Sequence, residues 1–79
     1  MEKSDYTAAF RRDLGARIRA CRVGQGLSLR KLGLMTGIDY AYLSTIENGS
    51  ANTTVDTLLK ICDALDVELT VVLSPRTTA

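Results

Sequence analysis

The side chains that could do chemistry in this chain are mostly charged, and the two signs are separated along the sequence. Residues 11–31 carry seven positive side chains and one negative, whereas residues 39–68 carry one positive and six negative. A basic half in a nearly neutral chain indicates a polyanionic partner on that side. Ordinary solvated helix faces would look the same, because arginine favours helices, and charge alone leaves both interpretations open. The positive residues are Arg11, Arg12, Arg17, Arg19, Arg22, Arg30 and Lys31.

Groups suited to catalysis or metal binding are scarce. The chain has no histidine and two cysteines, Cys21 and Cys62, too few ligands to complete a usual zinc site. No nucleophile has a base beside it, and no pair of carboxylates has a convincing cleft. We therefore expect no enzyme activity, no cofactor and no metal. Both cysteines fall in apolar stretches, which favours buried free thiols in a reducing cytoplasm over a disulfide.

The length of the chain limits its organisation. With 79 residues, one small domain is expected, and its core is small enough to favour oligomerisation. No apolar run approaches the roughly 20 residues needed to span a bilayer. The first residues also lack the apolar segment of a secretory signal. We expect a cytoplasmic, nucleoid-associated protein with no membrane partner.

Residues 28–49 are predicted to form two short helices joined by a tight turn. Gly37 can adopt the left-handed conformation that ends the first helix, and Asp39 can cap the second. Gly33 costs about 1 kcal/mol relative to alanine inside a helix, which is acceptable where the two helices approach closely. The pattern is that of a helix-turn-helix. Its apolar residues at helical spacing are Leu29, Leu32 and Met35, then Ile38, Leu43 and Ile46.

Two further helices flank this unit. Ser28 is the expected N-cap of the first short helix, and Thr54 is the expected N-cap of a later helix. The first flanking helix shows one apolar face, formed by Tyr6, Phe10, Leu14, Ile18 and Cys21. The last shows another, formed by Val55, Leu58, Leu59, Ile61, Cys62 and Leu65.

The run from Glu68 to Leu73 changes character. It is rich in β-forming residues and is stopped by Ser74 and Pro75. A single strand would have no partner within the chain, so we expect it to pair with the same strand of a second copy. The alternatives are a fifth short helix or a docked extended tail. The predicted organisation is an N-terminal extension at 1–12, a helix-turn-helix domain at 13–67, a dimerisation strand at 68–74 and a tail at 75–79.

Four motifs, spread over about residues 14–67, resemble the Cro/CI-type helix-turn-helix family, also called the XRE family. They are LGARIRACR from Leu14, GLSLRKL from Gly26, TGIDYAYLSTIENG from Thr36 and TVDTLLKICDALDV from Thr54. The resemblance implies an all-α, lambda-repressor-like domain of four to five helices, here followed by the short C-terminal strand. It also implies a homodimer that binds double-stranded DNA with the second helix of the motif in the major groove.

The resemblance also implies roles for individual residues. Arg22 and Glu47 match a charged pair that ties the first helix to the third. The positions facing bases are Asp39, Tyr40, Ala41, Tyr42, Ser44 and Thr45. The positions meeting phosphates are Arg19, Arg22, Ser28, Leu29, Arg30 and Asn48. The dimerisation residues are Glu68, Leu69, Thr70, Val71, Val72 and Leu73. For Tyr40 and Tyr42, phosphate contact and packing compete with base contact.

This chain departs from the family pattern at its reading surface, which consists of the positions expected to face bases and phosphates. Leu29 stands where a glutamine often contacts a phosphate, and the third helix has no Arg, Lys, Gln or Asn before Asn48. Such side chains make the strong bidentate base contacts, so we expect weaker or more shape-dependent readout. The predicted function is a homodimeric transcriptional repressor. The strand after the fourth helix also resembles HipB-type antitoxins, which gives the alternative of an antitoxin-type protein whose main role is to bind a toxin or another protein.

Overall fold

Five helices account for the secondary structure of residues 3–73, which a computed structural model of the chain describes. Side chains are described from Tyr6 onward, and the predicted tail at 75–79 lies outside these residues. The predicted all-α class is confirmed. The helices are α1 (Lys3–Gly24), α2 (Leu29–Thr36), α3 (Tyr40–Glu47), α4 (Val55–Leu65) and α5 (Leu69–Leu73).

The helix boundaries follow from local capping. The Ser28 hydroxyl accepts a hydrogen bond from the Lys31 N–H at 3.0 Å, and the Asp39 carboxylate accepts one from the Ala41 N–H at 3.2 Å. Thr54 caps α4 in the same way. Gly37 has φ 76° and its N–H bonds to the Gly33 carbonyl, so it ends α2 in the left-handed conformation. These caps confirm the predicted helix-turn-helix and the start of α4.

The core lies between α1, the α2–α3 unit, α4 and α5. Its fully or nearly buried side chains are Leu14, Ile18, Leu32, Leu43, Ile46, Leu58, Ile61, Cys62, Leu65 and Val72.

Four residues expected on apolar faces are exposed instead: Tyr6, Met35, Val55 and Leu59. Val55 and Leu59 are one turn apart and rotated to one side of the core-facing line of α4, so helical spacing overestimated the width of that face.

Two glycines allow helices to approach closely. A Cβ on Gly15 of α1 would overlap the backbone oxygens of Ile46 and Glu47 at the end of α3. A Cβ on Gly33 would lie 2.9 Å from the Ile38 carbonyl oxygen and 3.4 Å from the Tyr40 Cβ. The predicted close approach at Gly33 is confirmed, and Gly15 is a second such point that helical periodicity did not reveal.

The predicted C-terminal strand is wrong, because Leu69–Leu73 forms the short helix α5. Val72 is fully buried and Leu69 and Leu73 pack partly against the core, whereas Thr70 and Val71 are exposed. That spacing of three and four is helical, so packing overrides the β propensity of the run. The Arg17 guanidinium of α1 also donates to the Val72 carbonyl at 3.1 Å.

Candidate nucleic-acid interface

Helix α3 turns one face to the core and leaves the other accessible. Leu43, Ile46 and Glu47 are buried, while Tyr40, Ala41 and Tyr42 are exposed. Ser44 and Thr45 are half-buried, and Asn48 at the C-terminal end is exposed. The residues expected to face bases therefore lie on the accessible side or at its border, together with the capping residue Asp39.

A buried ion pair holds the inner face of α3. Arg22 Nε and Glu47 Oε2 are 2.7 Å apart, and Arg22 Nη2 and Glu47 Oε1 are 2.8 Å apart. The third nitrogen, Nη1, donates to the Leu27 carbonyl at 2.8 Å, which ties the α1–α2 loop to the same group. The hydrogen bond that Arg22 donates to Glu47 raises the pKa of Arg22 above its already high usual value, against the opposing effect of burial. The bidentate pair joins α1 to the end of α3.

This geometry corrects one expectation for Arg22. Its side chain is 11% exposed and all three guanidinium nitrogens bond within the protein. It is therefore not free to contact a phosphate, and its place is in the scaffold beneath α3.

Two hydroxyl groups of α3 also bond within the protein. The Tyr42 hydroxyl donates to the Asn52 carbonyl at 3.2 Å, which joins α3 to the loop before α4. The Thr45 hydroxyl donates to the Tyr42 carbonyl at 2.6 Å. Both oxygens keep acceptor capacity, but their donor function is used. Tyr42 and Thr45 thus belong partly to the scaffold.

The start of α2 lies beside this face and is basic. Arg30 and Lys31 are exposed, as is Arg19 on α1. The Leu29 side chain packs partly against the core, so only its backbone N–H, in the first turn of α2, is available to an anion. Asn48 accepts two hydrogen bonds from Ser50 on its side-chain oxygen, which directs its amide NH₂ away from Ser50.

One contact across the turn was not anticipated. The Arg30 guanidinium carbon lies 4.5 Å from the centroid of the Tyr40 ring, which is a cation–π arrangement between α2 and α3. Ten residues separate the partners, so the contact depends on the angle between the two helices. The presence of one aromatic and several basic residues was visible in the sequence, but their pairing was not.

Comparison with known proteins decides the family. The sequence matches the model of the Helix-turn-helix family HTH_3 over residues 18–72, more than half of the chain. The chain belongs to this family. The HTH_3 domain includes α5, and it agrees with the predicted membership of the Cro/CI-type, or XRE, group.

Relatives of this HTH_3 protein are regulators. It is 36% identical over 66 residues to the transcriptional regulator ClgR of Mycobacterium tuberculosis, covering 84% of this chain but only 59% of that relative. Its fold is similar to the crystal structure of the restriction-modification controller protein C.AhdI from Aeromonas hydrophila. There the TM-score is 0.79 at 33% identity, covering 81% of this chain and 97% of the other.

A second solved structure agrees with the first. The clp gene regulator ClgR from C. glutamicum matches this HTH_3 chain with a TM-score of 0.80 and 32% identity, over 84% of this chain and 85% of the other. The HipB-like assignment depended on a strand after α4, and α5 occupies that position.

Other kinds of site find no support in the described residues. Between residues 3 and 73 no group of three or more cysteine or acidic side chains could hold a metal ion. Cys21 and Cys62 are both free thiols, and Cys62 is buried while Cys21 is half-buried. Within the same part of the chain, no helix is long and apolar enough to cross a membrane.

Proposed function

We propose that this protein is a transcriptional regulator that binds double-stranded DNA sequence-specifically, with α3 in the major groove. The observation that carries the proposal is the way in which α3 is held against the rest of the domain. Its inner face is locked by Arg22 and Glu47, and its outer face is free beside a basic surface. The names of the relatives, transcriptional regulators and a controller protein, support the same function.

Contacts to the phosphate backbone would come from the border of α3. The first N–H groups of α2, at Leu29 and Arg30, have no intrahelical acceptor and suit a phosphate oxygen, with Ser28 beside them. The exposed cations Arg19 and Lys31 add charge attraction, and the Asn48 amide can donate at the far end of α3. These groups would fix the position of α3 on the duplex.

Contacts to base edges would come from the outer face of α3. Tyr40 and Ser44 can donate or accept hydrogen bonds, Thr45 and Tyr42 can accept them, and Ala41 can touch a thymine methyl. Asp39 can accept from a cytosine amino group. None of these side chains makes the bidentate pairing of arginine or glutamine, so part of the specificity would depend on DNA shape.

Selection of bound sequences from random duplex DNA tests this function. We expect an enriched palindromic site whose half-sites are about one helical turn, ~34 Å, apart. Affinity for that site should fall as salt rises, with a slope of about −0.9 for each neutralised phosphate. If no sequence is enriched, or if affinity does not depend on salt, the proposed function is wrong.

We also propose that the protein acts as a homodimer and as a repressor. The segment proposed for dimerisation is a helix and not a strand, with Val72 in the core and Glu68, Thr70 and Val71 exposed. Val71 and Leu59 of α4, each 48% exposed, offer apolar surface for a second copy. Repression requires only that the dimer occupy its DNA site and exclude polymerase. It therefore needs no surface beyond the DNA-binding face and the dimer contact.

The dimer can be tested with a matched pair of exposed valines. Val71→Glu on α5 should shift the protein towards monomer in sedimentation velocity, because a charge would be buried at the interface. Val23→Glu, at the end of α1, changes an equally exposed valine and should leave the mass unchanged. A dimer that survives Val71→Glu would place the interface elsewhere. Transcription in vitro from a promoter overlapping the selected site should fall as protein is added, and a rise would contradict repression.

A further inference from the structure

The cation–π contact between α2 and α3 brings a guanidinium to the edge of the reading surface. Arg30 lies in the first turn of α2 and Tyr40 is the first residue of α3, and both are exposed. The guanidinium carbon is 4.5 Å from the ring centroid. Together they line one wall of an open depression at the turn of the motif.

The backbone holds this pair in place. Arg30 and Gly33 are three residues apart in α2 and so share one face of it. Because Gly33 has no side chain, the Tyr40 Cβ comes within 3.4 Å of where a Cβ would stand. The ring of Tyr40 therefore lies on the same side of α2 as Arg30. The guanidinium contacts the ring with both helices in their regular conformation.

The contact with Tyr40 leaves the N–H donors of Arg30 free of hydrogen bonds. The Tyr40 ring lies over the guanidinium carbon, and a planar guanidinium carries five N–H donors in its own plane. Among residues 6–73, no acceptor bonds to these donors and no carboxylate forms an ion pair with them. By contrast, Arg22 is in an ion pair with Glu47 and uses all three guanidinium nitrogens within the protein.

The surroundings of Arg30 favour a base edge over a phosphate. Asp39 lines the same depression, and its carboxylate would repel an anionic phosphate there. A guanine edge carries no net charge and presents two acceptors, O6 and N7, that match the fork of an arginine. The neighbouring cation Lys31 is exposed but has no aromatic ring beneath it, so it keeps its full freedom of rotation.

From this arrangement we propose that Arg30, held over the Tyr40 ring, reads a guanine in the major groove and is the main specificity-determining residue. It supplies from α2 the bidentate contact that α3 lacks between Tyr40 and Glu47. This inference rests on the proposed function, because it assumes that α3 enters the major groove. Tyr40 then acts as a positioning residue for the guanidinium.

The test measures discrimination at the site selected by the wild-type protein. Affinities are measured for that site and for variants in which each guanine of a half-site is replaced. Arg30→Ala should reduce the preference for one guanine by about 5- to 150-fold. Arg30→Lys keeps the charge but loses the planar fork, so it should keep the salt slope and retain less of the guanine preference than the wild-type protein. Lys31→Ala should weaken all sites equally and reduce the salt slope by about one.

Two substitutions at Tyr40 separate the ring from its hydroxyl. Tyr40→Phe keeps the ring and should keep the guanine preference. Tyr40→Leu removes the ring and should lower the preference by about two- to fivefold, the factor expected for an exposed cation–π contact. In the Arg30→Ala background Tyr40→Leu should have no further effect on it.

The outcomes distinguish the guanine-reading role of Arg30 from the proposed function of sequence-specific DNA binding. If Arg30→Ala and Lys31→Ala weaken every site equally, Arg30 is a phosphate contact and the inference is overturned, while sequence-specific binding stands. A guanine preference that is undiminished in Arg30→Ala overturns it as well. If the wild-type protein enriches no sequence, both the proposed function and this inference fail.

Discussion

Removal of the Glu47 carboxylate is the most direct test of how α3 is held. Glu47→Ala deletes the group that accepts two hydrogen bonds from Arg22, at 2.7 and 2.8 Å. The guanidinium would keep only its bond to the Leu27 carbonyl. The Arg22 and Glu47 side chains are 11% and 6% exposed, so the remaining positive charge would be left largely buried without a partner.

The expected loss of stability follows from that burial. Breaking a buried pair by removing one partner costs about 3–5 kcal/mol. The lower end, about 3 kcal/mol, applies here because the partly exposed Arg22 lets water reach the vacated space. For a domain of this size each kcal/mol lowers Tm by roughly 4–8 °C. Glu47→Ala should therefore lower Tm by at least about 12 °C and weaken DNA binding, since α3 loses its anchor.

Thermal unfolding followed by circular dichroism, together with titration of the selected DNA site, measures both effects. Asp13→Ala removes an exposed carboxylate of α1 and should change stability by no more than about 0.5 kcal/mol. The double variant Arg22→Met with Glu47→Leu fills the space with apolar groups and should regain most of the lost stability. An unchanged Tm together with unchanged DNA affinity in Glu47→Ala would refute the anchoring role.

Two further substitutions test the packing. Gly15→Ala should destabilise the fold by about 1–3 kcal/mol because its Cβ meets the backbone of α3, whereas Gly24→Ala meets no atom within 4 Å and should not. Equal melting temperatures would contradict this. Burial raises the pKa of the Cys62 thiol, so its stabilising contribution is full below about pH 8.5 and is lost as pH rises through the raised value. Urea unfolding from pH 7 to 10 should show a fall in stability that Cys62→Ala lacks, and parallel curves would refute it.

The dimer contact and the guanine reading depend on different helices. Val71 and Leu59 lie on α5 and α4, while Arg30 and Tyr40 lie on α2 and α3. Substitutions in the dimer contact should therefore leave the guanine preference unchanged, and substitutions at Arg30 or Tyr40 should leave the dimer intact. Loss of the dimer would still lower the overall DNA affinity, because dimerisation raises the effective concentration of the second α3. Measuring both in one set of variants separates assembly from recognition.

Local signals in the sequence were enough to predict the helix-turn-helix. Ser28, Asp39 and Thr54 cap helices through bonds that span two or three residues, and Gly37 ends α2 through its own backbone. Such interactions depend on neighbours along the chain. They are therefore visible in the residue order, and the family motifs added the expectation that Arg22 and Glu47 stand opposite each other.

The C-terminal helix shows where local preference fails. Residues 69–73 are β-forming by composition, yet they form α5 because Val72 fills a place in the core that α1 and α4 leave open. The Arg17 side chain then bonds to its carboxyl end, 55 residues away in sequence. A five-residue segment has too few interactions of its own to resist that packing.

Residue order alone was enough to predict the capping and turn residues Ser28, Gly37 and Asp39, the separation of charge and the scarcity of base-reading side chains in α3. Which of the basic residues are free depends on how the helices pack against one another. Arg22 and Arg17 bond within the protein, whereas Arg30 lies over the Tyr40 ring and forms no ion pair among the described residues. A long cationic side chain bonds to whichever acceptors and rings the crossing helices bring near it. Residue order does not specify the crossing angle between helices, so it does not specify these partners.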